Sequence, residues 1–434
     1  MDEARLAGRL GYLQAPPVRR VAVISLHTSP TASLGHSANG GMNVYVNEVC
    51  AALGERGVDT DVFTRLQSPG DRKCEPLGPT SRVIYVPAGK GQMTKYELIS
   101  SVDRFAAGVL EFVEADAVEY DLIYSHYWLS GAAGLILRRR LELPLVHIAH
   151  TLGRVKNRQL APGATPEPEL RILVERSIAQ EADLLVASTA AEREDLVREY
   201  GAAPERVAVV APGVDLATFE RVDKAQAKRL IGVAADEQLL VFAGRLERLK
   251  GVEIALRAVA EIAGAYPRLR LMVLGDDSGS EPGEHRRLVR LARALRVDNQ
   301  VTFAGSIPHD RVSLYYSAAE ACLMPSYSES FGLVGLEAQA CGCAVIAADV
   351  AGLASVVRDQ VTGFLVGSDD PREYASRIER LLADPQLAAQ MGRRGSLLAQ
   401  RFSWSRTADR LLGEFQKLTL AAPQLRLQTG ATLE

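Results

Sequence analysis

Residues 239–251, LLVFAGRLERLKG, decide how this 434-residue chain divides. The first five residues are apolar, as in a parallel strand that is buried on both faces, and a basic loop follows them directly. At this stretch an alternation of short aliphatic runs and longer amphipathic segments restarts, after a break near Pro212 and Gly213. Two such series predict an α/β protein with two doubly wound, Rossmann-like parallel-sheet domains that face each other across a cleft.

The aliphatic runs give the predicted strands. They lie at residues 21–25, 83–86, 122–124, 145–149, 184–188 and 207–210 in the first series, and at 239–243, 271–274, 301–303, 321–324, 345–348 and 364–366 in the second. A helix is predicted over 43–53. Ligands of such sheets bind beyond the carboxyl ends of the strands, so the loops there should carry the chemistry.

The same pattern gives domain limits. We expect an N-terminal extension (1–18), a first domain (19–216), a second domain (217–403) and a C-terminal segment (404–434). The extension and the residues from 421 onward are predicted to be poorly ordered.

Composition excludes several classes of protein. With 47% hydrophobic and 24% charged residues the chain is globular rather than disordered or coiled-coil. A net charge of −3 gives no overall attraction to nucleic acid, so any anionic ligand must be held by local charge. Five cysteines, with no secretory signal and no transmembrane segment, predict a cytoplasmic protein in a reducing compartment. A homodimer is one of the oligomeric states left open.

Two loops offer sites for phosphate groups. Gly40 and Gly41 stand directly before a helix, where the backbone can approach a ligand closely, although an ordinary tight turn is the alternative. Arg245 and Lys250 follow the first strand of the second domain and suit a diphosphate, whereas solvated loop cations are the alternative.

Residues 325–338, PSYSESFGLVGLEA, combine a loop with a helix start. The free amides at the start of the helix, at Ser330, Phe331 and Gly332, can hold phosphate oxygens. Glu329 and Glu337 would be about 12 Å apart if the intervening residues were helical, which spans the distance from a donor sugar to a ribose. The apolar neighbours of Glu337 predict a buried position for it.

These motifs resemble those of the retaining glycosyltransferases of family 4, which carry a Glu-x7-Glu pair preceded by an Arg-x4-Lys pair. The resemblance covers residues 21–412 and implies a GT-B fold, a UDP-sugar donor bound mainly by the second domain, and a last helix, after Phe402-Ser403-Trp404, that crosses back to the first. It implies catalytic roles for Arg245, Lys250, Glu329 and His150, and donor binding by Gly40, Gly41, Ser330, Phe331, Gly332, Leu333 and Glu337.

The first domain is most similar to the mycothiol-pathway branch of this family, through HTSP (27–30), GGMNVY (40–45), SHYWLSG (125–131) and AHTL (149–152). That branch transfers N-acetylglucosamine to an inositol phosphate, 1D-myo-inositol 3-phosphate. The resemblance implies that a phosphorylated acceptor is bound by His27, Asn43, Lys95, Tyr127, Thr151 and Arg171.

Other activities stay open at this point. Residues 87–94 do not reproduce the acidic and aromatic loop of that branch, so a hexose phosphate acceptor, as in the related sucrose-phosphate synthases, is an alternative. Against it, the residues before Gly40 lack the Asp-Thr typical of those synthases. A sugar-nucleotide epimerase, a phosphorylase and a non-catalytic nucleotide-binding protein share the fold.

The sequence requires no cofactor. No His or Cys cluster has metal-ligand spacing, and we interpret Asp276 and Asp277 as loop or helix-capping residues rather than metal ligands. Assistance by Mg²⁺ at the phosphates is left open. His147 is predicted to be a hydrogen-bonded core residue, and the role of His126 is undecided.

Overall fold

The computed structural model describes residues 18–31, 40–67, 73–91, 93–277 and 282–429. The predicted N-terminal extension therefore lies outside the described residues except for Val18, which is buried in the first domain's core. The end of the predicted tail, 430–434, lies outside them as well. Among the helices that the structure describes, none is both long and apolar enough to cross a membrane.

The first domain contains an eight-stranded sheet in the order β3-β4-β2-β1-β5-β6-β7-β8. Its strands are β1 (Arg20–Ile24), β2 (Asp59–Arg65), β3 (Cys74–Pro76), β4 (Ser81–Val86), β5 (Leu122–His126), β6 (Leu145–Ile148), β7 (Leu184–Ala187) and β8 (Val207–Val209). All neighbours are parallel except β3, which pairs antiparallel with β4 at the edge. The helices are α1 (Gly41–Gly54), α2 (Val102–Asp116), α3 (Tyr127–Leu141), α4 (Gly153–Arg158), α5 (Glu169–Glu181) and α6 (Ala190–Tyr200), with 3₁₀ turns at Glu97–Ser101 and Pro204–Arg206.

The second domain contains a six-stranded parallel sheet in the order β11-β10-β9-β12-β13-β14. Its strands are β9 (Gln238–Ala243), β10 (Leu269–Leu274), β11 (Val301–Gly305), β12 (Ala321–Met324), β13 (Ala344–Ala348) and β14 (Gly363–Val366). Around it lie α7 (Lys224–Leu230), a 3₁₀ turn (Arg248–Lys250), α8 (Val252–Ile262), α9 (Glu284–Ala294), α10 (His309–Ala318), α11 (Leu333–Ala340), α12 (Ala351–Val356), α13 (Pro371–Ala383) and α14 (Pro385–Ala399). A last helix, α15, spans Trp404–Thr429.

Each predicted strand lies on an observed one, which confirms the two-sheet prediction, but β2 and β3 were missed. Strand β2 has the sequence DTDVFTR, which carries no aliphatic run although six of its seven residues are buried. Its buried aspartate has partners on neighbouring segments: the Asp61 carboxylate binds Arg82 at 2.7 Å and accepts a hydrogen bond from the Tyr120 hydroxyl at 2.6 Å. Buried polar groups with such partners cost little, so a central strand need not be apolar.

The two domains are joined where two chain segments cross. Val214 forms a parallel bridge with Ser403, and helix α15 then packs Trp404, Leu411 and Phe415 into the core of the first domain. This places the last helix on the first domain, as the family resemblance implied. The helix is assigned as far as Thr429, and the poor order predicted from 421 onward stays a prediction. The boundary at 216/217 lies between the two sheets and stays a prediction.

The crossing is tight enough to test by adding one carbon. A Cβ on Gly213 would lie 2.3 Å from the Trp404 backbone nitrogen, so the Gly213→Ala variant must push the two segments apart. We expect it to lower the free energy of unfolding in urea by about 1–3 kcal/mol. The control is Gly264→Ala, because nothing lies within 4 Å of a Cβ added there. Equal stability of the two variants would contradict this account of the crossing.

Candidate active site

Gly40 and Gly41, at the start of α1, lie against the second domain. A Cβ built on Gly40 would be 3.5 Å from the Arg245 Nε, and one on Gly41 would be 3.2 Å from the Leu333 side chain. A larger residue at either glycine would take up space between the domains. The structure thus brings three predicted donor-binding residues and the predicted catalytic Arg245 together from both domains.

Lys250 and Glu329 form an ion pair in the second domain, with 2.6 Å between the Lys250 Nζ and a carboxylate oxygen. Two adjacent loops create it. The Tyr327 backbone nitrogen donates to the Leu249 carbonyl at 2.9 Å, and Gly251, at φ +67°, lies so close to Pro325 that a Cβ would be 2.0 Å from its carbonyl oxygen. Only glycine tolerates that position, which fixes the lysine beside the glutamate.

The continuous helix from Glu329 to Glu337, on which the predicted distance of about 12 Å depended, is not formed. Helix α11 begins at Leu333, with Gly332 as N-cap at φ +104°, so Glu329 lies in the loop and only Glu337 lies on the helix. Ser330 and Phe331 precede the helix, and the Phe331 side chain is buried. The amides that α11 leaves free therefore begin at Leu333, directly after the loop that carries Glu329, the partner of Lys250.

Glu337 is buried, as its apolar neighbours predicted. The His309 Nε2 lies 3.1 Å from one of its oxygens, and the Tyr316 hydroxyl is 3.5 Å from the other. Burial alone would lower the pKa of His309, but the hydrogen bond and the charge of Glu337 raise it above the usual value. Sequence reasoning missed His309, although it begins the helix after β11 at the ligand-binding end of the sheet.

Arg171, Tyr127 and Thr151, predicted to bind the acceptor, form one hydrogen-bonded group in the first domain. The Arg171 side chain is completely buried and donates to the Tyr127 hydroxyl at 3.2 Å and to the Thr151 Oγ1 at 2.9 Å. Its other partners are the carboxylates of Glu175, at 2.6 Å, and Glu167, at 2.9 Å. A buried guanidinium needs such carboxylates to offset its desolvation.

Glu167 links this arginine to two lysines that the cleft partly exposes. Its carboxylate pairs with Lys95 at 3.2 Å and also with Lys156, while the Tyr96 hydroxyl donates to it at 2.8 Å. Burial works to raise the pKa of Glu167, but the charges of Arg171, Lys156 and Lys95 hold it well below the usual range. Glu167 and Lys156 were missed in the sequence; the only signal was that Glu167 precedes Arg171 by four residues.

His150 and Tyr127 both have strained backbones. Their φ values are +58° and +75°, a region that residues other than glycine rarely adopt and that concentrates at functional sites. The His27 ring packs tilted against the Tyr127 ring with centroids 4.5 Å apart, which brings together two residues predicted to bind the acceptor.

The Asn43 amide donates to the Ser29 carbonyl at 2.5 Å and to the Thr28 hydroxyl at 3.0 Å. Asn43 therefore fixes the position of the loop that carries His27. Direct contact between Asn43 and an acceptor stays a prediction.

Two predictions about residues outside the site are confirmed. His147 is buried and hydrogen-bonded to the Ser125 hydroxyl at 2.9 Å. Asp277 accepts from the backbone nitrogens of Gly283 and His285 at the start of α9, as a helix cap does. In the part of the chain that the structure describes, no group of three or more His, Cys, Asp or Glu residues is placed to hold a metal ion.

Comparisons with known proteins match both halves of the chain. A glycosyl transferase 4-like domain matches residues 40–213, and the glycosyl transferases group 1 model matches residues 223–397. The D-inositol 3-phosphate glycosyltransferase of Segniliparus rotundus is 44% identical over 404 residues, covering 93% of this chain and 90% of that protein. The enzyme of the same name from Saccharomonospora viridis is 43% identical over 418 residues, covering 95% and 97%.

Among solved structures, the sucrose-phosphate synthase of Thermosynechococcus elongatus superimposes with a TM-score of 0.87 at 33% identity, over 93% of this chain and all (100%) of that one. The Anabaena protein HepE, solved with UDP and glucose, gives a TM-score of 0.74 at 20% identity over 92% of this chain and 100% of its own. These likenesses confirm the predicted pair of facing parallel-sheet domains.

Four buried histidines of the first domain predict a pH dependence of stability. Burial lowers the pKa values of His27, His147 and His150 to about 3, and that of His126 well below its usual value. Below pH 6.5 the unfolded chain binds protons that the folded chain excludes. The stabilisation is therefore complete above pH 6.5 and falls as the pH decreases, by up to about 1.4 kcal/mol per pH unit for each histidine.

Two carboxyl groups, Glu192 and Glu48, and the imidazole of His309 oppose this slope, because the pKa of each is raised in the folded chain. Burial raises the pKa of Glu192 to about 7, so between pH 7 and 4.5 its protonation favours the folded chain and offsets one histidine. We expect the midpoint of urea unfolding to decrease from pH 7 to pH 5. A constant or rising midpoint over that range would show that these histidines are not held neutral.

Proposed function

Because the chain belongs to the glycosyltransferase family that includes the curated D-inositol 3-phosphate glycosyltransferases, we propose that it transfers N-acetylglucosamine from a UDP-sugar to 1D-myo-inositol 3-phosphate, with retention of anomeric configuration. The observation that carries the proposal is the group formed by Arg171, Tyr127 and Thr151 where β5 and β6 end, to which Glu167 joins Lys95. It offers one planar guanidinium, one ammonium and two hydroxyl groups, a set that suits a phosphate dianion.

The names of the relatives support this acceptor. Proteins that share 43–44% of their residues with this chain over nearly its whole length are called D-inositol 3-phosphate glycosyltransferases. The charges support it as well: three cations (Arg171, Lys95, Lys156) and two carboxylates (Glu167, Glu175) leave one net positive charge at this end of the cleft. This net positive charge favours the binding of a phosphate anion.

On the donor side we assign the UDP diphosphate to Arg245, Lys250 and the amides at the start of α11. A helix N-terminus stabilises an anion through its free N–H groups and its dipole. In this assignment Glu329 accepts hydrogen bonds from hydroxyls of the transferred sugar, and the buried Glu337 accepts from the ribose. His150, at the end of the opposite sheet, contacts the sugar from the first domain.

In the proposed reaction the bond between the anomeric carbon and the β-phosphate oxygen breaks while the acceptor hydroxyl attacks from the same face. The proton of the acceptor hydroxyl passes to the departing phosphate oxygen, so UDP leaves as the glycosidic bond forms. Negative charge develops on that phosphate, and stabilising it with Arg245 and Lys250 would be the main catalytic effect. Closure of the two domains about the crossing at Gly213 would exclude water.

A hexose phosphate is the second candidate acceptor, because the sucrose-phosphate synthase superimposes with a TM-score of 0.87. Both candidates use the same phosphate-binding group. They differ in the hydroxyl that must reach the anomeric carbon.

The five cysteines all lie in the described residues and are free, which supports a reducing, cytoplasmic setting for the reaction.

The function is tested by incubating the enzyme with UDP-N-acetylglucosamine, UDP-glucose or the GDP-sugars, each against inositol 3-phosphate, fructose 6-phosphate and unphosphorylated inositol. We expect nucleotide release to be fastest with UDP-N-acetylglucosamine and inositol 3-phosphate, and the product to have the α configuration of the donor by ¹H NMR. Sugar isomerisation without an acceptor, or consumption of inorganic phosphate, would instead indicate an epimerase or a phosphorylase.

The Lys250→Ala variant should retain the fold and lower the turnover number by about 10²- to 10³-fold, because it removes one preorganised charge from the leaving diphosphate. The control is Lys224→Ala, whose ammonium pairs with Glu320 outside the site. Steady-state rates at saturating donor and acceptor provide the measurement. An unchanged turnover number for Lys250→Ala would remove Lys250 from the catalytic group.

Lys95 tests the acceptor side better than Arg171, since truncating a fully buried arginine would remove a charge partner from two buried carboxylates. The Lys95→Met variant should raise the KM for the phosphorylated acceptor by about 10- to 100-fold, the value of one charged hydrogen bond. Hydrolysis of the donor in the absence of acceptor should be unaffected.

The control for Lys95→Met is Lys417→Met, a change of the same kind at a lysine on the exposed surface of α15. If both variants keep the wild-type KM for the acceptor, the phosphate is bound elsewhere.

A further inference from the structure

Two histidines lie side by side where β5 and β6 end. His126 is the last residue of β5, and His150 follows β6 by two residues. The His126 Nδ1 lies 3.0 Å from the His150 Nε2, and the two rings are stacked with centroids 5.3 Å apart. His126 is almost fully buried, whereas His150 is partly exposed to the cleft. The pair therefore connects the core of the first domain to the site.

A hydrogen bond between two imidazoles restricts both rings. Both histidines are kept neutral by burial, which lowers their pKa values. In a neutral pair one nitrogen must carry the proton and the other must accept it, so the tautomer of one ring determines that of the other. The ring nitrogen of His150 that faces away from His126 then has a fixed role, as donor or as acceptor, toward anything bound in the cleft.

Aromatic neighbours hold the rings but leave the tautomer undetermined. Tyr124 packs against His126 with centroids 4.3 Å apart, and Tyr45 meets His150 edge-on at 5.1 Å. Tyr45 in turn contacts Trp404, the first residue of the last helix, at 5.6 Å. These contacts restrict how the rings tilt, whereas a hydrogen bond decides which nitrogen of His150 carries hydrogen.

We propose that His126 is a positioning residue for His150: its Nδ1 fixes the tautomer and orientation in which His150 meets the hydroxyls of the donor sugar. The proposal rests on the assignment of His150 to the donor site under the proposed function. His126 itself does not touch the substrate. Preorganised sites commonly use a buried hydrogen bond to orient a residue that contacts the ligand.

The substitutions His126→Asn and His126→Phe separate this role from simple packing. Asparagine places a polar atom close to the position of the histidine Nδ1, while phenylalanine keeps an aromatic ring against Tyr124 and removes the hydrogen bond. We expect His126→Phe to lower kcat by about 10- to 100-fold with little change in the KM for the acceptor. His126→Asn should keep kcat within about threefold of the wild type.

The matched control is His147→Asn, which changes a buried histidine on the adjacent strand that is hydrogen-bonded to Ser125 rather than to His150. It should leave kcat unchanged. A purely structural role for His126 would instead lower the unfolding midpoint of both His126 variants alike and reduce their kcat in parallel, which would overturn the proposal.

A spectroscopic measurement keeps the test independent of turnover and of the exact substrate. Nitrogen-15 NMR of the histidine rings should report a single tautomer for His150 in the wild type and in His126→Asn, and a mixture in His126→Phe. An unchanged His150 tautomer in His126→Phe would overturn the proposal, even if the fold and activity suffer. Absence of wild-type transfer to inositol 3-phosphate would contradict the proposed function and leave this measurement decisive for His126.

Discussion

Arg171 carries a full positive charge at a position that water does not reach. An isolated charge in such a place would be strongly destabilising, so its surroundings must compensate it. Glu175 does so from the same face of helix α5, four residues after the arginine. Glu167 does so from the turn before the helix, four residues before the arginine. The Tyr127 and Thr151 hydroxyls complete the contacts of the guanidinium. This arrangement fixes the ends of strands β5 and β6 relative to helix α5.

Glu167, one of these two carboxylates, connects the buried arginine to side chains that are partly exposed. Glu167 is held through its own backbone by the Asn157 side chain, with hydrogen bonds of 2.7 and 3.0 Å. With the backbone fixed, its carboxylate gathers Lys95 and Lys156 beside the arginine. The cations are thus already assembled, and little conformational entropy is left for a ligand to remove. The strained backbones of Tyr127 and His150 lie at the same edge, where the surrounding contacts maintain them.

Much of this could be predicted from the sequence, for physical reasons that particular residues illustrate. Buried parallel strands read as aliphatic runs, so β9 and β12 were found nearly residue by residue. Strand β2 was not predicted, because its buried aspartate interrupts the aliphatic pattern. Hydrogen bonds from Arg82 and Tyr120 make that burial possible. Glu337 was correctly placed in the interior, whereas the helix predicted to start at Ser330 begins only at Leu333, after the N-cap Gly332. Glu167 and Lys156 were invisible, since their meeting with Lys95 depends on contacts 11 to 72 residues apart in the chain.

The account depends on two anions bound at the two ends of one cleft, and a crystal structure of the enzyme with UDP and inositol 3-phosphate measures this most directly. The account predicts the acceptor phosphate within hydrogen-bond distance of Lys95, Tyr127, Thr151 and Arg171, and the diphosphate between Arg245, Lys250 and the start of α11. A phosphate bound away from Arg171, or a diphosphate held by the first domain alone, would contradict it.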